Sequence, residues 1–196
     1  MATNRWPQRR PLNIKDKIIL FVFILLAAVL FTAGLFVERI LASSMEERLK
    51  QNALDIAHAV ALIPEVQINV GVNGGESVIQ PVAESIRETT SADFIVVIDM
   101  DSTRYSHPTL ENIGRKFVGG DEGRALQGEI YTSKAVGTLG PSLRGFVPVY
   151  NGAKQVGAVS VGIMIDDIVQ MLHNTRFWLF LSALASLFVG LIGSGC

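Results

Sequence analysis

The chain has 196 residues, 49% of them hydrophobic and 18% charged, with a formal net charge of −1 and a single cysteine. So weak a charge argues against a nucleic-acid partner. The one cysteine, Cys196, excludes a disulfide within the chain, so any folded domain rests on its own apolar core.

Taken in order, residues 18–37 run from Ile18 to Val37 without a charge. At ~1.5 Å of rise per residue, about 20 such residues cross a bilayer as a helix. A signal peptide has an apolar region of only ~7–15 residues and ends at a small-residue cleavage site. Ala42-Ser43-Ser44 is a poor version of that site, so a membrane helix at 18–37 is favoured. Ahead of it Arg5, Arg9, Arg10, Lys15 and Lys17 stand against one acid, Asp16, which makes 1–17 a cytoplasmic tail. A second uncharged apolar run at 177–196 is expected to return the chain through the membrane. Residues 38–176 then lie outside, with twelve Lys and Arg against seventeen Asp and Glu. That acidic surface suits neither nucleic acid nor anionic lipid, and it makes any cluster of arginines a local feature. The second run has no cytoplasmic flank, so the chain is expected to be a piece of a longer protein whose output domain is left off.

Between the two runs, nothing breaks a helix over 38–63, and Pro64 supplies the stop. Ala42, Met45, Leu49, Asn52, Ile56, Ala59 and Ile63 recur at spacings of three and four. This heptad seam serves either packing on the domain's own sheet or contact with a second copy. Residues 70–77, with Gly71, Asn73, Gly74 and Gly75, read as a loop, followed by a short helix with Pro81 in its first turn and Val82 and Ile86 inward. Residues 94–98 read as a buried strand, 99–103 as a polar turn, and 104–106 as a returning strand that Pro108 ends. After a glycine-marked loop, Asp121 is placed to cap a short helix through Leu126. Strands follow at 129–136 and 143–150, joined through a loop from Gly137 to Ser142. Asn151-Gly152 marks a turn into a last strand, 155–165, and Asp166 or Asp167 caps an exit helix. Helices, then about five antiparallel strands, then an exit helix define an α+β domain.

No nucleophile elbow, His-Glu-x-x-His helix, phosphate-binding loop or internal cysteine nucleophile is present, and His58, His107 and His173 lack metal-ligand spacing. Neither enzymatic activity nor a metal or cofactor is expected of this stretch. Taken singly, Arg104 fits a surface salt bridge with Asp99 or Asp101, His107 a bonded loop histidine, and Arg144 a solvated edge residue. Together they point to a small carboxylate, because arginine grips carboxylate in a two-pronged fork and keeps its charge. Alternation puts Phe146 on the face of Arg144, and the Gly137-Thr138-Leu139 to Ser142 loop offers amides and hydroxyls nearby. Ser160, in a row of small apolar residues, either bonds its neighbours or points into a cavity.

Four motifs carry a resemblance: Asp99-Met100 through Arg104-Tyr105-Ser106-His107-Pro108; Ile113-Gly114 with Gly119-Gly120-Asp121; Gly137 through Ser142-Leu143-Arg144; and Val156-Gly157 through Ser160-Val161-Gly162. With them the chain resembles the membrane-bound sensor histidine kinases for citrate and C4-dicarboxylates. The resemblance spans Ile18 to about Ile192. It implies a PAS-like (PDC-type) domain of five antiparallel strands with a long N-terminal helix, flanked by two transmembrane helices. It implies carboxylate binding by Arg104, His107 and Arg144, helped by Gly137, Thr138, Leu139, Ser142, Phe146 and Ser160. Citrate sensors carry a basic residue two places after the third-motif arginine and a threonine in the first strand. This chain has Phe146 and Val96 there, and phenylalanine is closer to the C4-dicarboxylate sensors.

The sequence is therefore expected to be the extracytoplasmic sensing part of a two-component kinase, in the cell membrane, dimeric and multi-pass. Its ligand is expected to be citrate, with malate, fumarate or succinate as the alternative. Autophosphorylation and contact with a response regulator belong to the missing cytoplasmic part. The contrasting reading is a membrane-anchored module that binds a protein; an exposed apolar patch beside a solvated Arg104 would favour it, and a closed cationic pocket the sensor.

Overall fold

The computed structural model describes residues 13–164. In chain order it holds helices α1 (Ile14–Ala61), α2 (Pro64–Asn69) and α3 (Glu76–Thr89), then strands β1 (Phe94–Asp99), β2 (Tyr131–Gly137), β3 (Gly140–Asn151) and β4 (Lys154–Met164). Single 3-10 turns at Leu110–Asn112 and Ala125–Gln127 lie between β1 and β2. Residues up to Ala42 belong to one compact unit, and residues from Ser43 through β4 to another.

In the first unit α1 leaves Ile18, Phe21, Leu30 and Phe36 exposed. The helix from Lys17 is long and apolar enough to cross a membrane, and the span expected at 18–37 falls inside it. Among the described residues it is the one such span. The second run at 177–196 and the exit helix expected from Asp166 or Asp167 lie outside the described residues, as do residues 1–12 of the expected tail 1–17.

The second unit is built on one antiparallel sheet in the order β1-β4-β3-β2. Strand alternation divides it into two buried faces. Ile95 and Val97 of β1, Val147 and Val149 of β3 and Val159 and Val161 of β4 meet Ala53, Ile56, Ala57 and Val60 of α1. Burial on both faces explains why β1 reads as an apolar run, and it also encloses Ser142 and Arg144 of β3 and Ser160 of β4. Helix and sheet come unusually close at Gly145, where a Cβ would sit 2.7 Å from the Ala53 carbonyl carbon. On the other face Phe94, Val96, Ile98, Phe146 and Ala158 pack under the segment between β1 and β2, with Ala125, Phe117 and Leu126 above them.

The α+β class and the long N-terminal helix are as expected; four details differ. The sheet has four strands among the described residues, since the return at 104–106 never becomes a strand. Asp99 Oδ1 accepts the Asp101 and Thr103 amides, which turns the chain back, and Tyr105 donates to the Val97 carbonyl. The Ser106 hydroxyl then takes over the backbone's role, accepting from the Val97 amide at 2.8 Å and donating to the Ile95 carbonyl at 3.0 Å. The loop expected from Gly137 to Ser142 is a tight turn, with β2 reaching Gly137 and β3 starting at Gly140. Pro81 lies inside α3 rather than in its first turn, because the helix starts at Glu76. Asp121 caps nothing: the turn at Ala125–Gln127 has Arg124 at its cap position without a side-chain bond. A buried guanidinium claims the Asp121 carboxylate instead.

Candidate functional site

On the sheet face away from α1, a cavity is bordered by Arg104, His107, Gly137, Thr138, Leu139 and Arg144 among the predicted site residues. Phe94, Val96, Phe117, Val118 and Gly140 complete its wall. Its free space is about 20 Å3, room for roughly one water. A roomier groove of about 280 Å3 lies between Val72, Glu76, Thr103 and Ile113, but Arg104 is the only predicted site residue on its border. The smaller, cation-lined cavity is therefore the candidate site.

The two arginines differ in what balances them. Arg104 is 3% exposed, and its Nε and Nη2 donate to the Lys116 carbonyl at 3.1 and 2.5 Å. No acidic side chain pairs with it among the described residues. Burial, then the charge of Arg115, push its pKa below the ordinary arginine value. A cation in this position is held against its solvation preference, and an anion delivered to it recovers that cost.

Arg144, 1% exposed, is compensated internally. Its Nη1 donates to Asp121 Oδ1 at 2.6 Å and its Nε to the Ser142 hydroxyl at 3.0 Å. The guanidinium lies 5.4 Å from the Phe117 ring centroid and 5.9 Å from that of Phe94, within cation–π range. Backbone closes around it: a Cβ on Gly119 would sit 2.1 Å from Nη1, and one on Gly137 would sit 2.2 Å from Nη2. A side chain at either place would have to displace the guanidinium from its present position.

His107 borders the same cavity as the two cations. Its backbone is clamped by Gln80 of α3, which accepts its amide at 2.9 Å and donates to its carbonyl at 3.1 Å. Nδ1 accepts from the Thr109 amide at 2.9 Å, so in the neutral ring Nε2–H donates to Thr138 Oγ1 at 3.0 Å. Burial, then Arg104, lower the His107 pKa, while the Thr109 carbonyl works against them.

The remaining predicted residues stand behind this wall. Ser142 is buried and engaged with Arg144, and Phe146 stacks on Tyr131 at 5.1 Å and meets Phe117 edge-on at 5.9 Å. Ser160 pairs in register with Val96 and Phe146, and its buried hydroxyl has no hydrogen-bond partner. It does not border the cavity. Sequence reasoning missed Phe94, Phe117, Gln80 and Asp121. Strand alternation puts Phe94 on the face of Val96, and Asp121 is an acid in a glycine-rich loop of a chain with two candidate carboxylate-binding arginines. Gln80 and Phe117 carry no local signal.

A sheet buried under a long helix on one side, with two guanidiniums enclosed on the other, defines an α+β domain with a cationic cavity. The Single cache domain 3 family model matches residues 41–176, and the chain belongs to that family. It is 42% identical over 186 residues to Sensor protein CitS of Halalkalibacterium halodurans, covering 94% of this chain and 35% of that protein. To the sensor histidine kinase DcuS of Escherichia coli K12 it is 35% identical over 174 residues, covering 88% of this chain and 32% of that one. A probable C4-dicarboxylate sensor kinase of Bacillus subtilis is 30% identical over 187 residues, covering 95% and 35%. The crystal structure of the E. coli DcuS sensor domain superposes with a TM-score of 0.61 at 37% identity, over 65% of this chain and 97% of that one. The expected kinship with citrate and C4-dicarboxylate sensor kinases is met. The chain spans about a third of the length of these relatives.

Proposed function

We propose that the chain is the ligand-sensing and transmembrane-signalling part of a two-component sensor histidine kinase, with 38–176 outside the membrane and a small polycarboxylate as its ligand. The observation that carries this reading is Arg104, a buried guanidinium with no acidic partner among the described residues, beside a neutral histidine at a cavity wall. It also disfavours the protein-binding alternative, which called for a solvated Arg104.

One ligand carboxylate pairs with Arg104 and His107, and a second reaches Arg144. For citrate, the first choice, the third carboxylate and the hydroxyl fall to Thr138 and the Gly137 to Leu139 turn at the cavity wall. Malate, fumarate or succinate is the second reading, favoured by Phe146, which supplies no third cation. Relatives named as C4-dicarboxylate sensors fit that reading too. Kinase activity, a homodimer and a response-regulator partner belong to the whole protein under this proposal.

Calorimetric titration of the intact chain in nanodiscs with citrate, malate, fumarate and succinate tests it. At least one is expected to bind to the wild type and to be lost in Arg104→Met, since losing one partner of a desolvated charge pair costs about 2–5 kcal/mol. Methionine keeps the volume and removes an uncompensated charge, so the melting temperature of that variant is expected not to fall. Unchanged affinity in Arg104→Met excludes this site.

A further inference from the structure

Asp121 is more firmly held than its place in a glycine-rich loop requires. Its Oδ1 accepts from Arg144, its Oδ2 accepts from the Ser133 hydroxyl, and its backbone carbonyl accepts from the Tyr131 hydroxyl. Ser133 and Tyr131 both stand on the edge strand β2. The Tyr131 pKa is pushed up to about 12 by burial and then by Asp121, so the phenol keeps the proton that it donates. The carboxylate thus occupies one of the two guanidiniums that the ligand reading needs. At the same time the free space between them admits roughly one water, too little for any dicarboxylate.

We infer that Asp121 is a built-in anion that holds Arg144 until a ligand carboxylate replaces it, and that it thereby sets the affinity of the site. This rests on the ligand reading above and names the regulation of the same site. Two carboxylates on one desolvated guanidinium repel each other, so the incoming group is bound at the expense of the resident one. The loop at 118–121 leaves with Asp121, because Gly119 lies against the same guanidinium and Val118 borders the cavity. Its departure supplies the volume that the cavity lacks. Arg104 requires no such exchange and is the point of first capture. The site therefore has a closed state with an internal ion pair and an open state with the ligand in its place, which is the two-state element that a sensor requires.

The test uses the intact chain in nanodiscs, titrated with citrate and succinate, with Asp121→Asn beside the wild type. Asparagine keeps the shape and removes the charge, and it is expected to tighten binding at least tenfold. Ser133→Ala loosens only the grip on Oδ2 and is expected to shift affinity in the same direction by a smaller factor; it decides the matter if Asp121→Asn fails to fold. Hydrogen exchange supplies the structural readout: saturating ligand is expected to speed exchange of the amides at 118–123 in the wild type. Ligand binding by the wild type with equal or weaker affinity in both variants overturns the exchange and leaves the ligand reading standing. Binding by none of the three proteins overturns that reading and this one together. Binding by Asp121→Asn alone supports both.

Discussion

At the scale of single residues, His107 is the titratable group that links the site to pH. In the free domain its pKa lies below the ordinary histidine value, so the ring is neutral, with Nδ1 accepting from the Thr109 amide. On protonation the same nitrogen gives up the bond from the Thr109 amide and can donate to the Thr109 carbonyl, 3.1 Å away. A ligand carboxylate favours the imidazolium and raises the pKa in the complex. The sign follows: the bound state takes up a proton that the free state lacks, so affinity is fully developed at acid pH and is lost as pH rises through the bound-state value. The ligand's own carboxyl groups ionise in the opposite sense at lower pH. As pH rises from the free-state value of His107 through its bound-state value the wild type is expected to weaken, and His107→Gln to give a flatter curve. Calorimetry in buffers of different ionisation heat measures the proton uptake directly; the same uptake in both proteins would remove His107 from this role. The depressed pKa also makes the ligand-free fold less stable as pH falls below the ordinary histidine range, since the unfolded chain then binds the proton more readily.

At the scale of elements, the packing of α1 on the sheet decides which helix face is buried. The heptad seam through Met45, Leu49, Asn52, Ile56, Ala59 and Ile63 coincides only in part with the observed face. Ala53, Ile56, Ala57 and Val60 are buried, Ala59 is exposed, and Asn52 bonds the Ser91 hydroxyl at the margin. A helix lying on a sheet follows its own period of 3.6, whereas the seam read from the sequence follows 3.5, and the two drift apart. The α1 backbone lies close against the sheet at Gly145. Gly145→Ala puts a methyl group into the α1 backbone and is expected to destabilise by about 1–3 kcal/mol, as overpacking does. Gly123→Ala is the control, because a Cβ there meets nothing within 4 Å. It should stay within about 0.5 kcal/mol of the wild type. Thermal melts followed by circular dichroism compare the two; equal melting temperatures would mean that helix and sheet part without cost.

At the scale of the whole molecule, the cavity roof meets the end of the last described strand. A Cβ on Gly140 would lie 3.0 Å from Met164 Cε, and Ser142 pairs in register with Met164. Asp93 Oδ2 accepts the Met164 amide at 2.7 Å, so this strand end is tied to the start of β1 as well. A ligand that rearranges the Gly137 to Gly140 turn and Arg144 therefore acts next to the point where the chain continues toward 177–196. A difference of about 1.4 kcal/mol in ligand affinity between two states shifts their populations tenfold. Spin labels introduced at Arg39 and Arg176 in a bilayer are expected to report a changed distance at saturating ligand. Identical distance distributions with and without ligand would exclude this mechanical route while leaving the binding site intact.

What the sequence determined by itself was whatever rests on neighbours in the chain. The uncharged run at 18–37, the helix stop at Pro64, the alternation that puts Arg144 and Phe146 on one face, and the turn after β1 all follow from local period and local charge. The tertiary structure alone decided the long-range pairings. Asp121 meets Arg144 across 23 positions, and Gln80 clamps His107 across 27. A serine hydroxyl, rather than backbone, completes the pairing beside β1 and so removes the expected fifth strand. Such choices depend on which charges lose water together and which hydrogen-bonding groups must be satisfied inside. Local propensity is blind to that competition. It explains why the two arginines look alike in the sequence while one is neutralised by its own chain and the other has no acidic partner among the described residues.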